Sequence, residues 1–199
     1  MKILTIAVRR HQLTWALFLF PQERELASGI IEGIGKKEGL RWLHWNTLND
    51  TKVIHLESFD NALHSIIDEL LNLRVIDSID EIEAVGHRFV AGGEYAKEPT
   101  MIPRESAGKL EKLGQYILLN NSLQVEMATV FQRFLPHVRN IAVFDTLIES
   151  KKHSYAYQLR IRQTAMHSRP FVQCLNDAVH DGRMIAESVH EIIREKIRV

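Results

Sequence analysis

Two short apolar runs, each closing on a charged residue, constrain this chain more than any other feature. The first runs from Ile82 to Phe89 and carries Arg88 near its end. The second runs from Arg139 to Phe144 and is followed by Asp145. Runs of this kind are typical of buried parallel strands, whose carboxyl ends meet at one edge of a sheet. The pattern predicts an α/β fold that delivers Arg88 and Asp145 to that edge. A structural ion pair is the alternative interpretation, because buried arginine is usually paired whatever its role.

Three glycines flank Arg88 in the sequence. Gly86 precedes it, and Gly92 and Gly93 follow it. Because glycine has no Cβ, the backbone there can bend sharply and let a ligand approach closely. A bulged strand followed by a tight turn would explain the same glycines without a ligand.

Composition limits the class of protein. The 199 residues suit one large domain, and 25 Lys and Arg balance 25 Asp and Glu, so nothing indicates binding to nucleic acid or to an anionic membrane. Cys174 is the single cysteine, which excludes an internal disulfide and fits a reducing compartment. The apolar run before Arg9 and Arg10 is too short for a signal peptide. We therefore expect a cytoplasmic protein.

The order of predicted elements places several strands before any helix. Asp60 is the predicted cap of the first helix, and Gly182 is a candidate break in the last one. The predicted strands are Lys2–Val8, Leu13–Phe20, Leu26–Ile34, Leu40–Asn46, Thr51–Leu56, Ile82–Phe89, 139–144 and an edge strand over 155–161. The predicted helices follow Asp60 and span 103–117, 123–135 and 170–197.

Several segments together resemble the amino-terminal domain of the acetate kinase family, the acetokinases that include propionate and butyrate kinases. The segments are GHRFVAGGE at 86–94, AVFDT at 142–146, SYAYQLRI at 154–161 and the opening MKILTIA with LTWALF. The resemblance covers residues 1 to about 162. It implies a ribonuclease-H-like fold, related to that of sugar kinases and actin: a mixed sheet opening with antiparallel strands, helices on both faces and a long C-terminal helix. We expect residues 1–165 to form this domain and residues 166–199 to pack on it as a helix.

The resemblance also implies a chemistry, the transfer of a phosphoryl group from ATP to a short-chain carboxylate. Arg88 matches the family's carboxylate- and phosphate-binding arginine, and Asp145 matches its catalytic, metal-linked aspartate. Val90 and Leu119 match positions that line the small apolar substrate pocket. Asn120 stands where the family has a functional histidine.

The chain departs from the family where phosphate is held. The glycine, serines and lysine of the family's phosphate loop are replaced over 7–14, and Arg9, Arg10 and Gln12 are what remains there. His167 is a doubtful counterpart of the family's transition-state histidine. The adenosine-binding domain, with its Mg²⁺-linked glutamate, has no counterpart in the resemblance. If each lost phosphate contact weakened transition-state binding by ~2–3 kcal/mol, the rate would fall by many orders of magnitude.

Two hypotheses follow from these departures. The first is a shortened, catalytically degenerate acetokinase-family protein, a pseudoenzyme that binds a small anion, either a carboxylate or an acyl phosphate, at Arg88, or binds a protein partner. The alternative is a carboxylate or acyl-phosphate kinase that uses Mg²⁺ and ATP, either alone or completed by a second chain, with Arg9 and Arg10 replacing the lost lysine. A solvated hairpin tip would also explain these two arginines.

Other expectations concern partners and metals. We expect helix 170–197 either to fold over the apolar face left by the absent domain or to dimerise. The Glu187–His190–Glu191 triplet has helical ligand spacing, but a solvated helix face explains it as well, so no metal site is predicted.

Overall fold

The computed structural model describes residues 1–89, 98–102, 122–145 and 171–197, with side chains in the last stretch described for 179–195. These residues form one eight-stranded mixed sheet with helices on both faces. The strands are β1 (Lys2–Arg9), β2 (Gln12–Leu19), β3 (Arg24–Glu32), β4 (Gly39–Trp45), β5 (Leu48–Ile54), β6 (Ile82–Phe89), β7 (Thr100–Met101) and β8 (Arg139–Phe144). The helices are α1 (Phe59–Asn72), a short 3₁₀ turn at Ile79–Glu81, α2 (Ser122–Phe134) and α3 (Phe171–Ile197).

The sheet opens with antiparallel strands and continues with parallel ones. The strand order is β5-β4-β3-β2-β1-β6-β8-β7, so β1 lies inside the sheet between β2 and β6. The β1–β2 hairpin closes at the pair Arg9 and Gln12. β6 runs parallel to both β1 and β8, as a buried strand reached through a helical crossover does. This confirms the predicted mixed sheet and the parallel relation of the two apolar runs.

Helices α1 and α2 cover one face of the sheet. Most of the apolar side of α1 is buried, and burial of each large aliphatic side chain contributes roughly 1.5–3 kcal/mol. The predicted cap was wrong by two residues: Ser58, not Asp60, is the N-cap, and its hydroxyl accepts a hydrogen bond from the backbone N–H of Asn61 at 3.2 Å. Phe59, the first residue of the helix, is partly buried and packs against the core, so the helix includes it and begins before Asp60. The buried residues of α1 are Ala62, Leu63, Ile66, Ile67 and Leu70.

Helix α3 covers the opposite face. Ile185 and Val189 pack against apolar residues of β1, β2, β6 and β8. Gly182 does not break the helix; a Cβ there would lie 2.9 Å from the hydroxyl of Thr5, so glycine permits close packing on the sheet. Helix α3 thus covers an apolar face of the sheet, and the expectation that it covers the face left by an absent domain, or dimerises, stays a prediction. The division of the chain into residues 1–165 and 166–199 stays a prediction.

Some expectations differ from the structure in extent, and others lie outside the described residues. The fifth strand begins at Leu48 rather than Thr51 and ends at Ile54. The predicted helix 103–117 and edge strand 155–161 lie outside the described residues. Within the described part of the chain, no helix is both long and apolar enough to cross a bilayer.

Candidate functional site

The candidate site lies at the sheet edge where β6 and β8 end. These strands pair in parallel with Arg88 beside Val143 and Phe89 beside Phe144. Asp145 follows directly, so both sequence-predicted charged residues reach the same edge. Their proximity follows from parallel pairing and register alone.

Arg88 is held between two carboxylates. Its Nε donates to Oδ1 of Asp145 at 2.6 Å, and its second terminal nitrogen, Nη2, reaches Oδ2 of the same carboxylate at 3.3 Å. The other terminal nitrogen, Nη1, donates to Oδ2 of Asp181 on α3 at 2.8 Å. A planar guanidinium bound along one edge by a carboxylate is fixed in orientation as well as in position.

These contacts keep Arg88 charged although it is largely buried. Burial alone would lower the pKa of the guanidinium, but the hydrogen bonds and charges of Asp145 and Asp181 outweigh it and raise the pKa above the ordinary value. The three side chains remain partly accessible, at 24% for Arg88, 21% for Asp145 and 16% for Asp181. Arg88 is therefore a charged group that solvent and small solutes can reach.

A cavity of about 330 Å³ opens beside this cluster. Three of its lining side chains are arginines and one is an aspartate, a surplus of two positive charges. Leu123 and Gln124, at the start of α2, close one wall, and the amide of Gln124 donates to the carbonyl of Val8 at 3.3 Å. The lining consists of Ala7, Val8, Arg9, Arg10, Arg88, Leu123, Gln124 and Asp145.

The residues that replace the family's phosphate loop do not all border the cavity. Arg9 and Arg10 are exposed at the β1–β2 turn and line the cavity. Gln12 does not line it, because its side-chain amide donates to Glu32 on β3 at 2.8 Å. The structure thus brings Arg9, Arg10, Arg88 and Asp145 around one space. Three further predicted site residues, Val90, Leu119 and Asn120, lie outside the described residues.

Gly86 has another role than the one expected from the sequence. A Cβ at this position would lie 2.6 Å from Cγ2 of Ile185 and 2.8 Å from Cγ2 of Val189. The missing side chain therefore admits helix α3, not a ligand, to the surface of β6. This close approach also brings Asp181, one turn before Ile185, to Arg88.

Asp181, Leu123 and Gln124 were not among the residues singled out from the sequence. Asp181 had a usable signal, because it lies four and eight positions before the apolar residues Ile185 and Val189 and so shares their helix face. A carboxylate on an otherwise apolar face calls for a cationic partner. No comparable signal marks Leu123 and Gln124, whose place at the cavity depends on how α2 packs.

On the other face of β6, His87 is buried behind the site. The Nδ2 amide of Asn140 donates to the carbonyl of Val138, so its Oδ1 accepts from Nε2 of His87 at 2.7 Å. Burial lowers the pKa of His87 to about 4, although the hydrogen bond to Asn140 acts in the opposite direction. His87 is therefore neutral at pH 7 and supports the strand that carries Arg88.

Comparison with known proteins agrees with this architecture. The sequence profile described as the acetokinase family matches residues 2–169. The chain belongs to the acetokinase family. Among curated members, it is 32% identical over 157 residues to acetate kinases of Streptococcus pneumoniae strains Hungary19A-6 and ATCC 700669 / Spain 23F-1. The match covers 79% of this chain and 40% of those kinases, so this acetokinase-family chain spans about two fifths of their length.

Solved structures show the same fold. The acetate kinase of Porphyromonas gingivalis superposes with a TM-score of 0.66 at 24% identity, covering 89% of this chain and 43% of that one. A propionate kinase from Francisella tularensis subsp. tularensis SCHU S4 gives a TM-score of 0.65 at 23% identity, covering 88% and 43%. The ribonuclease-H-like fold expected from the resemblance is confirmed for this acetokinase-family chain.

Proposed function

We propose that this acetokinase-family chain binds a small oxyanion, a carboxylate or an acyl phosphate, in the cavity beside Arg88, and that it does not transfer phosphate by itself. The observation that carries the proposal is the cavity of about 330 Å³ lined by three arginines and one aspartate. Its volume lies at the lower end of the range for small-molecule sites, which suits a ligand of few atoms.

The lining provides both orientation and charge for such an anion. Asp145 fixes the plane of Arg88, so the guanidinium presents its donors in one direction. Arg9 and Arg10 come from the hairpin turn on another side of the cavity. Arginine groups converging from two elements are suited to bind carboxylate or phosphate oxygens by charge-assisted hydrogen bonds.

Asp181 limits how strongly an anion can bind. Its carboxylate accepts a hydrogen bond from Arg88, as an anionic ligand would. A ligand must therefore either share the guanidinium with Asp181 or displace it. Displacement costs a charge-assisted hydrogen bond, so we expect modest affinity, with a dissociation constant on the order of 0.1–1 mM.

The residues at the hairpin argue against independent phosphotransfer. A phosphate loop uses small residues so that backbone N–H groups can surround phosphate oxygens. Here β1 runs as regular strand to Arg9, and its partner residue in the hairpin is Gln12. Backbone donors in such a pair serve the sheet, which leaves the arginine side chains to contact phosphate.

Among the described residues, the carboxylates nearest the cavity are already engaged by Arg88. Asp145 and Asp181 direct oxygens to Arg88, and within the described ranges no group of three or more His, Cys, Asp or Glu side chains could hold a metal ion. The Glu187–His190–Glu191 triplet is not such a group. We therefore assign no step to a metal or to a nucleotide.

The alternative function is a carboxylate kinase completed by a second chain. It is favoured by the family membership and by the retained Arg88 and Asp145 at one sheet edge. Under this alternative, MgATP binding and turnover would appear only when the complementing chain is present.

Calorimetric titration with acetate, propionate, acetyl phosphate and MgATP, followed by a phosphotransfer assay, tests both functions. We expect acetate or acetyl phosphate to bind the wild type, and Arg88→Ala to weaken that binding at least tenfold. Arg139→Ala is the matched control, because Arg139 is exposed at the start of β8 and does not line the cavity. Turnover by the purified chain would contradict the proposal, and equal binding by Arg88→Ala would place the anion elsewhere.

A further inference from the structure

The outer strand β5 carries the exposed apolar surface of the described structure. Leu48 is 45% exposed and Val53 is 68% exposed, and they are the two large hydrophobic residues exposed among the described residues. β5 is the end strand of the sheet, so within the described part of the chain one of its backbone edges faces no neighbouring strand. An open edge of this kind is a template for pairing with another strand.

β5 lacks most of the features that keep edge strands from pairing. It contains no proline, and its pairing with β4 continues without a register shift over all seven residues. A bulge or a proline would twist or interrupt the edge. Asp50 and Lys52 are the charged residues on β5 that could discourage a partner strand, and their effect depends on the residues placed opposite them.

The sequence of β5 is self-complementary in one antiparallel register. If two copies pair about a two-fold axis at Thr51, Asp50 of each copy lies opposite Lys52 of the other. Leu48 then lies opposite Ile54, an apolar pair on the same face of the sheet. Moving the axis by one residue places Asp50 opposite Asp50 or Lys52 opposite Lys52. Opposite charges across a strand pair stabilise it, and like charges destabilise it.

The contacts of Asp50 leave it accessible for this second role. Its Oδ2 accepts a hydrogen bond from Arg41 on the neighbouring strand at 2.6 Å, yet its side chain is 48% exposed. Asp50 can therefore retain its hydrogen bond to Arg41 and also form an ion pair with Lys52 of a second copy. We propose that β5 pairs antiparallel with β5 of a second copy of this chain about an axis at Thr51, joining the two sheets into one.

The expected dimer is weak. A seven-residue strand pair buries less surface than the ~1,200–2,000 Å² of a standard stable interface. Association should therefore depend on concentration, with a dissociation constant of ~10–100 µM. This surface does not include the cavity at Arg88, so the dimer and anion binding succeed or fail separately.

Sedimentation equilibrium of the full chain, from about 5 µM to about 1 mM, tests the dimer. The wild type should shift from monomer to dimer across this range. Lys52→Glu places a negative charge opposite Asp50 of the second copy and should weaken association at least tenfold. Arg139→Glu reverses a charge near the other end of the sheet and should leave it unchanged. A wild type that stays monomeric, or a dimer unaffected by Lys52→Glu, would overturn the proposal.

Cysteine cross-linking tests the register in a Cys174→Ser background. In the proposed pairing, residue 51 faces its own copy with Cα atoms ~4.5–5.5 Å apart, a distance that a disulfide spans. Thr51→Cys should therefore form a disulfide-linked dimer under mild oxidation. Asn49→Cys lies opposite Val53 and is too far from its own copy to cross-link. Cross-linking of Asn49→Cys in preference to Thr51→Cys would refute the register, and a heterologous protein bound to β5 in place of a second copy would refute self-pairing.

Discussion

Two arginines in this protein lie between pairs of carboxylates, and only one of them borders a cavity. Arg41 contacts Asp50 and Glu69, each at 2.6 Å, and its side chain is 9% exposed. Arg88 contacts Asp145 and Asp181 at 2.6 and 2.8 Å and is 24% exposed. Each cluster combines one arginine with two carboxylates, at nearly the same distances. The difference lies in what surrounds them.

The Arg41 cluster is closed in the sense that Arg41 itself is only 9% exposed, although Asp50 remains 48% exposed. Burial raises the pKa of Glu69 despite the opposing charge of Arg41, and no member of this cluster lines the cavity beside Arg88. Arg88 instead lies beside Arg9 and Arg10, which line a common cavity with it. The comparison teaches that a paired arginine alone does not indicate a ligand site. Surplus positive charge around an open volume is the better indicator.

The largest expected effect is loss of stability on removing Arg41. Arg41→Met leaves Glu69 buried without its cation, so the free energy of unfolding should fall by about 3–5 kcal/mol. Urea denaturation measures this, and anion titration of the folded variant should be unchanged. Arg88→Met is the matched variant in the other cluster and should lose less stability, because the Arg88 side chain is more exposed than that of Arg41, at 24% against 9%. Equal losses for the two variants would remove the distinction between a closed and an open cluster.

The strand that carries Arg88 should also be sensitive to acid through His87. The unfolded state takes up a proton near the ordinary pKa of 6.5, whereas the folded state does so only at about 4. Between these values the unfolded state binds more protons, so stability is full above pH 6.5 and falls by about 3 kcal/mol as the pH approaches 4. Urea denaturation at several pH values should show that the free energy of unfolding falls as the pH is lowered from 6.5 to 4. In His87→Leu the free energy of unfolding should depend less on pH over this range. An unchanged pH dependence in that variant would show that other groups cause it.

A smaller effect is expected from neutralising Asp181. Asp181→Asn removes the carboxylate that competes with a ligand for Arg88, so acetyl phosphate or acetate should bind about tenfold more tightly. Asp50→Asn makes the same change beside Arg41 and should not alter anion binding. Calorimetry on both variants measures the difference. Weaker binding in Asp181→Asn would show that Asp181 supports the ligand rather than competing with it.

The smallest effect is expected at Glu69. A carboxyl whose folded pKa is raised contributes stability that is full below its unfolded pKa, near 4.5, and lost as the pH rises through the folded value. At pH 7 the charge of Glu69 is therefore costly, and Glu69→Gln should change stability by less than about 1 kcal/mol, in either direction. Urea denaturation at pH 7 checks this. A loss comparable with that of Arg41→Met would show that the ion pair stabilises the fold.

The sequence predicts the Arg88–Asp145 pair because the parallel pairing of two recognisable buried strands is enough to bring these residues together. Two parallel strands with matched ends must place their terminal residues together, and both strands carry an apolar run that is easy to recognise. The antiparallel opening is predicted for the same reason, since alternating runs joined by turns form hairpins. These features depend on local patterns that a single sequence contains.

Asp181 and Arg41 could not be placed in the same way. Their partners depend on how a helix is rotated and shifted along the sheet, which is settled by packing such as that of Gly86 against Ile185. The cap of α1 shows the same limit on a smaller scale. Ser58 and Asp60 are both good capping residues, so local sequence does not decide between them, and Ser58 is the cap in the structure.

The partners of Arg88 also become available in a fixed order during synthesis. Asp145 follows Arg88 by 57 residues and Asp181 follows it by 93. The entropic cost of closing the two loops differs by only about 0.4 kcal/mol, so on a ribosome the order of arrival matters more than loop length. A nascent chain thus reaches a stage at which Arg88 can pair with Asp145 but not yet with Asp181. Emergence of the last helix then completes the cluster.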